Sequence, residues 1–586
     1  FRSLIISLLP LIVKMYDYKT HLYDYPWFPY QDYTDFFLYY KQLFFIIICA
    51  FMFIVIVAKS SFHKTFLRFT PIFVPLAGYA FLALLSSILS KNRRLSFTGS
   101  FEQFESIFAI LGYCLVVYYI YLFVKNEQDI NYILFWLLIG SIIMSLISIS
   151  QYLGHDFFTT DMGKKLITPS KFHNNLDGLI FNFEKTRVYA SLYNPNYVGT
   201  YVALLLPVIV VSAFLSKVRK HIPLYVLAVI GLVISLVGSK STSGFIAVII
   251  ALIIAVIFLW RYMLKYFYLV IPLLLLCIGL FQISLKTDSF IARQVNKITN
   301  IQKSEPTLKE IQTLDDRIQV TYKNNTFNVM FNASNDGNMD FIIKDITGSN
   351  LALIGDSTSG ALTIDDERFS GITLNLIMID NQFAFSININ NNDWMFTNNT
   401  EDGTYYYMNR FGQLDKINTA HSVLFNGYER IASGRGYIWS RSIPLLLDNF
   451  VIGSGADTFV LAFPQQDYVN LKNYGYENQI ITKPHNLYLQ VGVQTGTLSL
   501  ILFLAFYIFY FITSIRLYLG GRFESYYSKI GAAIFISTIS YMITGLTNDS
   551  SITVAPLFWI LMGLGIVVNE KTKQLIKNNT TEIKDN

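Results

Sequence analysis

Charge is scarce in this chain: Asp, Glu, Lys and Arg make up 14% of its 586 residues. A water-soluble fold of that length needs far more polar surface, so a soluble globular protein is excluded and most of the chain belongs in a bilayer. Cysteine is nearly absent as well. Cys49, Cys114 and Cys277 fall in apolar runs with no pairing or metal spacing, and read as small buried apolar residues. What is abundant is apolar: 53% of residues are hydrophobic, 16% are aromatic, and the mean hydropathy is +0.42. The net charge of +6 sits largely in short loops, where topology explains it and no nucleic-acid partner is implied.

Apolar runs near the spanning length of about 20 residues recur along the chain. They predict about twelve transmembrane helices, at 1–14, 42–58, 71–90, 105–124, 131–149, 196–215, 223–238, 245–260, 266–285, 485–515, 529–547 and 553–569. The first run starts without Met and reads as clipped; the 485–515 run exceeds what a bilayer needs and should tilt or project. Lys59, Lys64, Arg68, Lys217, Arg219, Lys220, Arg261, Lys265, Arg516, Arg522 and the tail 570–586 share one side. The positive-inside rule makes that side cytoplasmic, with both termini on it, in a multi-pass cytoplasmic membrane protein. Opposite lie loops 15–41, 91–104, 150–195 and 239–244, the long segment 286–484, and a short turn near Asp549.

The predicted organisation is thus helices with outer loops over 1–285, an outer insert over 286–430, an outer-face loop and surface helix over 431–484, helices over 485–569, and the tail. Within the insert, about 317–409 alternates apolar with polar residues between turns such as Glu401-Asp402-Gly403-Thr404. That pattern predicts an inserted extracytoplasmic β-sandwich-like domain. Trp394 reads there as a core or edge aromatic rather than a sugar platform. Tyr437–Leu447 reads as an amphipathic helix lying along the surface, and the aromatic loop 15–41 as an interfacial belt.

Segments 196–215, 245–260 and 266–285 contain no Asp, Glu, Lys or Arg. An ion-coupled transporter needs such groups along its path, so function is expected at the outer face. Some cations there break the positive-inside rule: Lys91, Arg93, Arg94, Lys185 and Arg187. An outward cation needs a partner, and phosphate suits it, as do lipid headgroups. A lone His485 stands in Pro484-His485-Asn486-Leu487-Tyr488-Leu489-Gln490, where the outer segment returns to an apolar run. Imidazole moves protons near neutral pH, so His485 is a candidate base.

Four patches carry a resemblance: Arg187-Val188-Tyr189-Ala190-Ser191-Leu192-Tyr193-Asn194-Pro195-Asn196-Tyr197; Gly238-Ser239-Lys240-Ser241-Thr242-Ser243-Gly244; Gly434-Arg435-Gly436-Tyr437-Ile438-Trp439 with Gly453-Ser454-Gly455; and Pro484–Gln490 with Thr495-Gly496. In order and spacing over about 187–500 they resemble the O-antigen ligase family, which also takes in O-antigen and teichuronic acid polymerases of the Wzy type. Where the family hairpin carries Arg, Thr242 stands here, with Lys240 two residues earlier. The β-insert lies outside the family's common core.

The resemblance implies a membrane glycosyltransferase moving a glycan from polyprenyl (undecaprenyl) pyrophosphate to an acceptor sugar hydroxyl in cell-envelope polysaccharide synthesis. Its partners would be that lipid-linked donor, a glycan or lipid- or wall-anchored acceptor, and membrane lipids. His485 takes the role of base, with Arg435 and Arg187 on the pyrophosphate. Arg93, Arg94, Lys240, Asn194, Asn196, Trp439 and Asn486 are further candidates for substrate contact, the Asn residues also serving as caps. No cofactor or metal is expected, since Asp315-Asp316 and Asp365-Asp366 stand in turn-like contexts. A single displacement with no nucleophilic carboxylate pair predicts inversion. Ligase and polymerase differ only in acceptor. A lipid-linked glycan transporter and a membrane-anchored binding protein are the competing classes.

Overall fold

The structure, a computed structural model, describes residues 2–585 except 64, 65, 182, 185, 217, 266–302, 304, 334–338, 356–359, 380, 381 and 522. The expected helix 266–285, Cys277, Lys64, Lys185, Lys217 and Arg522 therefore lie outside the described residues. The membrane part is a bundle of α1 (Tyr39–Phe62), α2 (Phe73–Leu89), α4 (Ile107–Phe123), α5 (Glu127–Tyr152), α7 (Pro195–Leu215), α8 (Ile222–Ser239) and α9 (Thr242–Lys265). Short α3 (Arg93–Thr98) and α6 (Asp161–Ile167) lie in the loops. Among the described residues, five helices are long and apolar enough to cross a membrane: α1, α5, α7, α8 with its leading turn, and the helix Thr497–Tyr518; α2, α4 and part of α9 are shorter apolar helices. These are the elements of a polytopic membrane protein.

Side-chain caps set several starts. Asn126 accepts from the Asp129 amide before α5, and Asn194 from the Asn196 amide before α7, whose first residue is Pro195. The stretch between Arg187 and α7 is held from within the bundle. Gln151 Oε1 accepts from the amides of Tyr189 and Ala190, and buried Lys41 donates to the Ser191 carbonyl at 2.8 Å.

The expected single helix over 485–515 is two. α14 (Leu487–Thr495) and α15 (Thr497–Tyr518) meet at Gly496, whose φ of +103° no helix accommodates. The loop 449–455 fills the break with backbone: Ser454 and Gly455 amides donate to Val493 and Gln494 carbonyls, and Thr497 and Leu498 amides donate to Asn449 and Phe450 carbonyls. Backbone groups that the break leaves without helical partners are thereby satisfied. The approach is so close that a Cβ on Gly453 would stand 2.2 Å from the Gln494 oxygen. Serines at the end of α2 complete the seat, with Gly453 donating to Ser86 and Ala456 to Ser87. Two further helices, α16 (Tyr526–Thr544) and α17 (Ala555–Asp585), close the bundle, the second carrying its helix on through the expected tail.

The outer insert holds two antiparallel sheets. One orders β3 (Leu308–Thr313), β4 (Ile318–Tyr322), β5 (Asn325–Ala333), β6 (Met339–Asp345) and β7 (Asn350–Leu351). The other orders β14 (Leu414–Asp415), β13 (Tyr406–Met408), β12 (Asn392–Thr397), β11 (Gln382–Ile389), β10 (Thr373–Ile379), β9 (Leu362–Ile364) and β8 (Leu353–Gly355). β1 (Tyr16–Lys19) and β2 (Asp32–Asp35) form a separate hairpin in the N-terminal loop. Period-two burial sends Ile318, Val320, Phe327 and Val329 into one core with Phe385, Ile387 and Trp394. Asn390 and Asn391, both left-handed, make the two-residue turn into β12.

After the sheets come α10 (Arg435–Ser442), α11 (Pro444–Asp448), α12 (Phe459–Ala462) and α13 (Tyr468–Asn473). The stretch expected to lie along the surface is instead a small core: Tyr437 and Ile438 are buried with Phe459, Phe463 and Val493 of α14. Pro444 divides it into two helices. Arg441, 4% exposed, holds this core by pairing with Glu429 at 3.5 Å and Asp467 at 3.3 Å.

Candidate functional site

Asn486 caps α14 by accepting from the amides of Tyr488 and Leu489, each at 3.0 Å. The residue before the cap is His485, at a φ of +50° that non-glycine residues adopt sparingly. Two contacts hold it. The Trp439 indole N–H donates to the Pro484 carbonyl at 3.0 Å, and His485 Nδ1 lies 3.1 Å from Asp549 Oδ2. Asp549 comes from the turn between α16 and α17, and its second oxygen accepts the Asn486 amide at 3.2 Å. The Asp549 side chain is 1% exposed and the imidazole 32%. Burial pushes the Asp549 pKa up, but His485, Lys483 and Arg435 outweigh it and hold the carboxyl below its usual range. A carboxylate only accepts, so the Nδ1–H of His485 donates to Asp549 and Nε2 stays clear of that bond.

Two cations surround this pair. Lys483 is buried, donates to the Glu102 carbonyl at 3.3 Å, and lies 5.4 Å from the Tyr193 ring. Burial pulls its pKa down; Tyr193, Glu102, Asp549 and Asp457 more than reverse this and raise it. Arg435, half-buried at the start of α10, forms no ion pair among the described residues, although it feels the Asp549 charge while burial lowers its pKa. A cavity of about 420 Å³ opens beside them, lined among others by Tyr33, Glu102, Tyr193, Asn194, Lys483 and His485. Glu102, Tyr193 and His485 all have positive φ, so three of its walls are held in a costly backbone conformation.

A buried carboxyl lies behind. Glu105 accepts from Tyr113 at 2.5 Å, Ser550 at 2.7 Å and Gln490 at 3.1 Å. Burial pushes its pKa up to about 7, the three hydrogen bonds opposing. Asp457, also buried, accepts from the amides of Ser100 and Glu105 and so fixes the loop that carries Glu102; burial raises its pKa well above the usual range.

The remaining candidates divide. Asn194 lines the cavity and caps α7, Asn196 follows it, and Trp439 and Asn486 position His485 through the bonds above. Arg187 and Lys240 share one carboxylate: Glu184 lies 2.6 Å from Lys240 and 4.0 Å from Arg187, all partly exposed. The Lys240 hairpin reaches the site through Asn548, which donates to Thr200 at 3.2 Å and Ser243 at 2.9 Å. Arg93 and Arg94 are exposed on α3 and do not line the cavity. Sequence reading missed Asp549, Lys483, Glu102 and Glu105. A signal existed for the first: Thr547-Asn548-Asp549-Ser550-Ser551 is a polar run with one carboxylate between two apolar helices.

A histidine braced by a buried carboxylate, beside two cations and above a helical bundle, defines a membrane protein whose polar chemistry sits at one end of the bundle. Residues 384–504 match the family model described as O-antigen ligase (Wzy_C). The match runs from β11 to α15 and takes in Arg435, Gly453, Lys483 and His485, leaving Arg187, Lys240 and Asp549 outside it. Over those residues the chain is similar to the O-antigen ligase family, in line with an O-antigen ligase or Wzy-type relationship. No curated protein and no solved structure matches the chain.

Proposed function

We propose that this protein transfers a glycan from a polyprenyl-pyrophosphate donor to an acceptor sugar hydroxyl at the outer membrane face, in the manner of an O-antigen ligase. The observation that carries the reading is the His485–Asp549 pair 3.1 Å apart beside Lys483 and Arg435. The acceptor oxygen attacks C1 of the donor sugar from the face opposite the leaving group. The C1–O bond breaks, the pyrophosphate leaves with the bonding electrons, and the acceptor proton passes to His485 Nε2. One displacement inverts the anomeric carbon. Pyrophosphate is a good leaving group, so the chain's task is charge: Arg435 and Lys483 stabilise what develops as the bond breaks, and the step as proposed runs on side chains alone. Arg187 and Lys240 join them by exchanging Glu184 for a phosphate oxygen. Asp549 keeps the imidazole in the accepting tautomer and stabilises the cation it becomes.

The test is transfer by purified protein in detergent, using extracted lipid-pyrophosphate-linked glycan, beside His485→Ala, Lys483→Ala and Arg435→Ala. His485→Ala should still fold, at some cost in melting temperature from the unpaired Asp549, and lose on the order of 10²–10⁴-fold in rate, the usual worth of a positioned base. Folded variants that keep the native rate would overturn the site. Lipid-linked glycan that lengthens marks a polymerase, and glycan moved onto a separate anchor marks a ligase. Native protein that transfers nothing but moves labelled donor across vesicles would make it a transporter.

A further inference from the structure

At the end of the bundle away from His485, α1, α4, α17 and the stretch between α1 and α2 enclose a cleft of about 560 Å³. Four cations line it, Lys59, Arg68, Lys125 and Lys571, against one carboxylate, Glu570. That carboxylate is engaged with a neutral group: Glu570 Oε1 accepts from the Tyr121 hydroxyl at 3.1 Å. Among the described residues none of the four cations forms an ion pair. Two of them are steadied by aromatic rings. The Lys59 ammonium stands 4.7 Å from the Phe123 ring. The Arg68 guanidinium lies 5.1 Å from the Tyr121 ring and donates to the Tyr121 carbonyl at 3.1 Å. The positive-inside rule accounts for cations at this end of the bundle. It does not account for their gathering in one concave site without a counter-charge. A cleft of one charge sign with apolar walls focuses its field and draws in an anion. Phe66, Leu122 and Val567 supply those walls, and the neighbours of His63 and Arg68 in the chain, Phe62 and Phe69, are exposed rings. Cations in a pocket between membrane helices with apolar surface beside them suit an anion that carries acyl chains.

We infer that this cleft binds the phosphate headgroup of an anionic phospholipid, which neutralises cations from α1, α17 and the segments after α1 and α4 and ties these ends together. The inference goes beyond the glycan-transfer reading and stands or falls apart from it.

The test uses full-length protein in detergent, stripped of phospholipid, with phosphatidylglycerol, phosphatidylcholine and inorganic phosphate as probes. Melting temperature and native mass spectrometry are the readouts. Phosphatidylglycerol should raise the melting temperature and stay bound; phosphatidylcholine with the same acyl chains, which carries no net charge, should do neither. Lys59→Gln combined with Lys125→Gln should weaken phosphatidylglycerol binding by about thirtyfold, the joint worth of two cations at a lipid phosphate. Should that pair fail to fold, Lys571→Gln alone gives the same reading at about fivefold. Arg219→Gln combined with Lys220→Gln is the control, since these exposed cations before α8 do not line the cleft, and it should bind as the native protein does. Equal weakening by both pairs would mean diffuse surface charge and overturn the site, as would phosphatidylcholine that binds as tightly as phosphatidylglycerol. Inorganic phosphate that protects as well as phosphatidylglycerol at the same concentration would give the cleft to a soluble anion and overturn the lipid assignment.

Discussion

Burial among Tyr113, Gln490 and Ser550, with Asp549 nearby, makes Glu105 give up its proton less readily than an ordinary carboxyl. Its pKa is raised in the folded state, to about 7, so between the ordinary carboxylate range and that value the folded protein binds more protons than the unfolded chain. Stability therefore falls as pH rises through this window. Glu105→Gln keeps the shape without the titration, and should melt higher than the native protein at pH 8 while the two converge below the ordinary carboxylate range, near pH 4. The gap at pH 8 corresponds to on the order of 3 kcal/mol; equal melting at both pH values would show that Glu105 is ionised without cost. Sequence alone does not find this residue. Glu105 reads as the edge of an apolar run, and only the fold brings Gln490 and Ser550 to it. His485 and Arg435 are legible because each stands in a patterned patch. Asp549 and Lys483 are not, since a lone Asp in a turn and a Lys before a Pro are ordinary until their partners are known.

At the scale of elements, the break between α14 and α15 shows what hydropathy cannot see. The run 485–515 is apolar throughout, so a window of any length reads it as one helix. What stops it is Gly496 at φ +103°, together with a loop whose backbone replaces the missing helical bonds. A Cβ on Gly496 would lie 2.5 Å from the Val451 oxygen, a rigid neighbour. Gly496→Ala should therefore cost well beyond the roughly 1–3 kcal/mol of backbone strain alone, and detergent melting should fall by several degrees or the protein should fail to accumulate. Gly475→Ala is the control, since Gly475 has φ +80° but no atom within 4 Å of its would-be Cβ. A Gly496→Ala protein no less stable than Gly475→Ala would mean the loop 449–455 does not press on the break. The strands followed the opposite course: period-two alternation marks Ile318–Tyr322 and Gln382–Ile389, because a half-buried sheet writes its two faces into sequence. Short β7, β8, β9 and β14, of two or three residues each, are too brief to show a period.

For the whole molecule, the site is assembled from distant parts of the chain: Glu102, Asn194, Arg435, Lys483 and Asp549 meet at the same end of the bundle. At the other end of α1, α2 and α4, Lys59, Arg68, Lys125 and Lys571 line a single cleft of about 560 Å³. Cations at that end are what the positive-inside rule places in the cytoplasm. The buried cations of the site end, by contrast, are engaged with Asp549, Glu102 and tyrosines, and carry no topological weight. The site should therefore face outward, which a lipid-linked donor delivered across the membrane requires. Exposed Asn324, at the turn between β4 and β5, and exposed Gln574, on α17, report the two ends. In a cysteine-free background and intact spheroplasts, a membrane-impermeant maleimide should label Asn324→Cys at once and Gln574→Cys only after lysis. The reverse pattern would put His485 and the β-domain in the cytoplasm, and a reaction that meets its donor outside could not then be the work of this site.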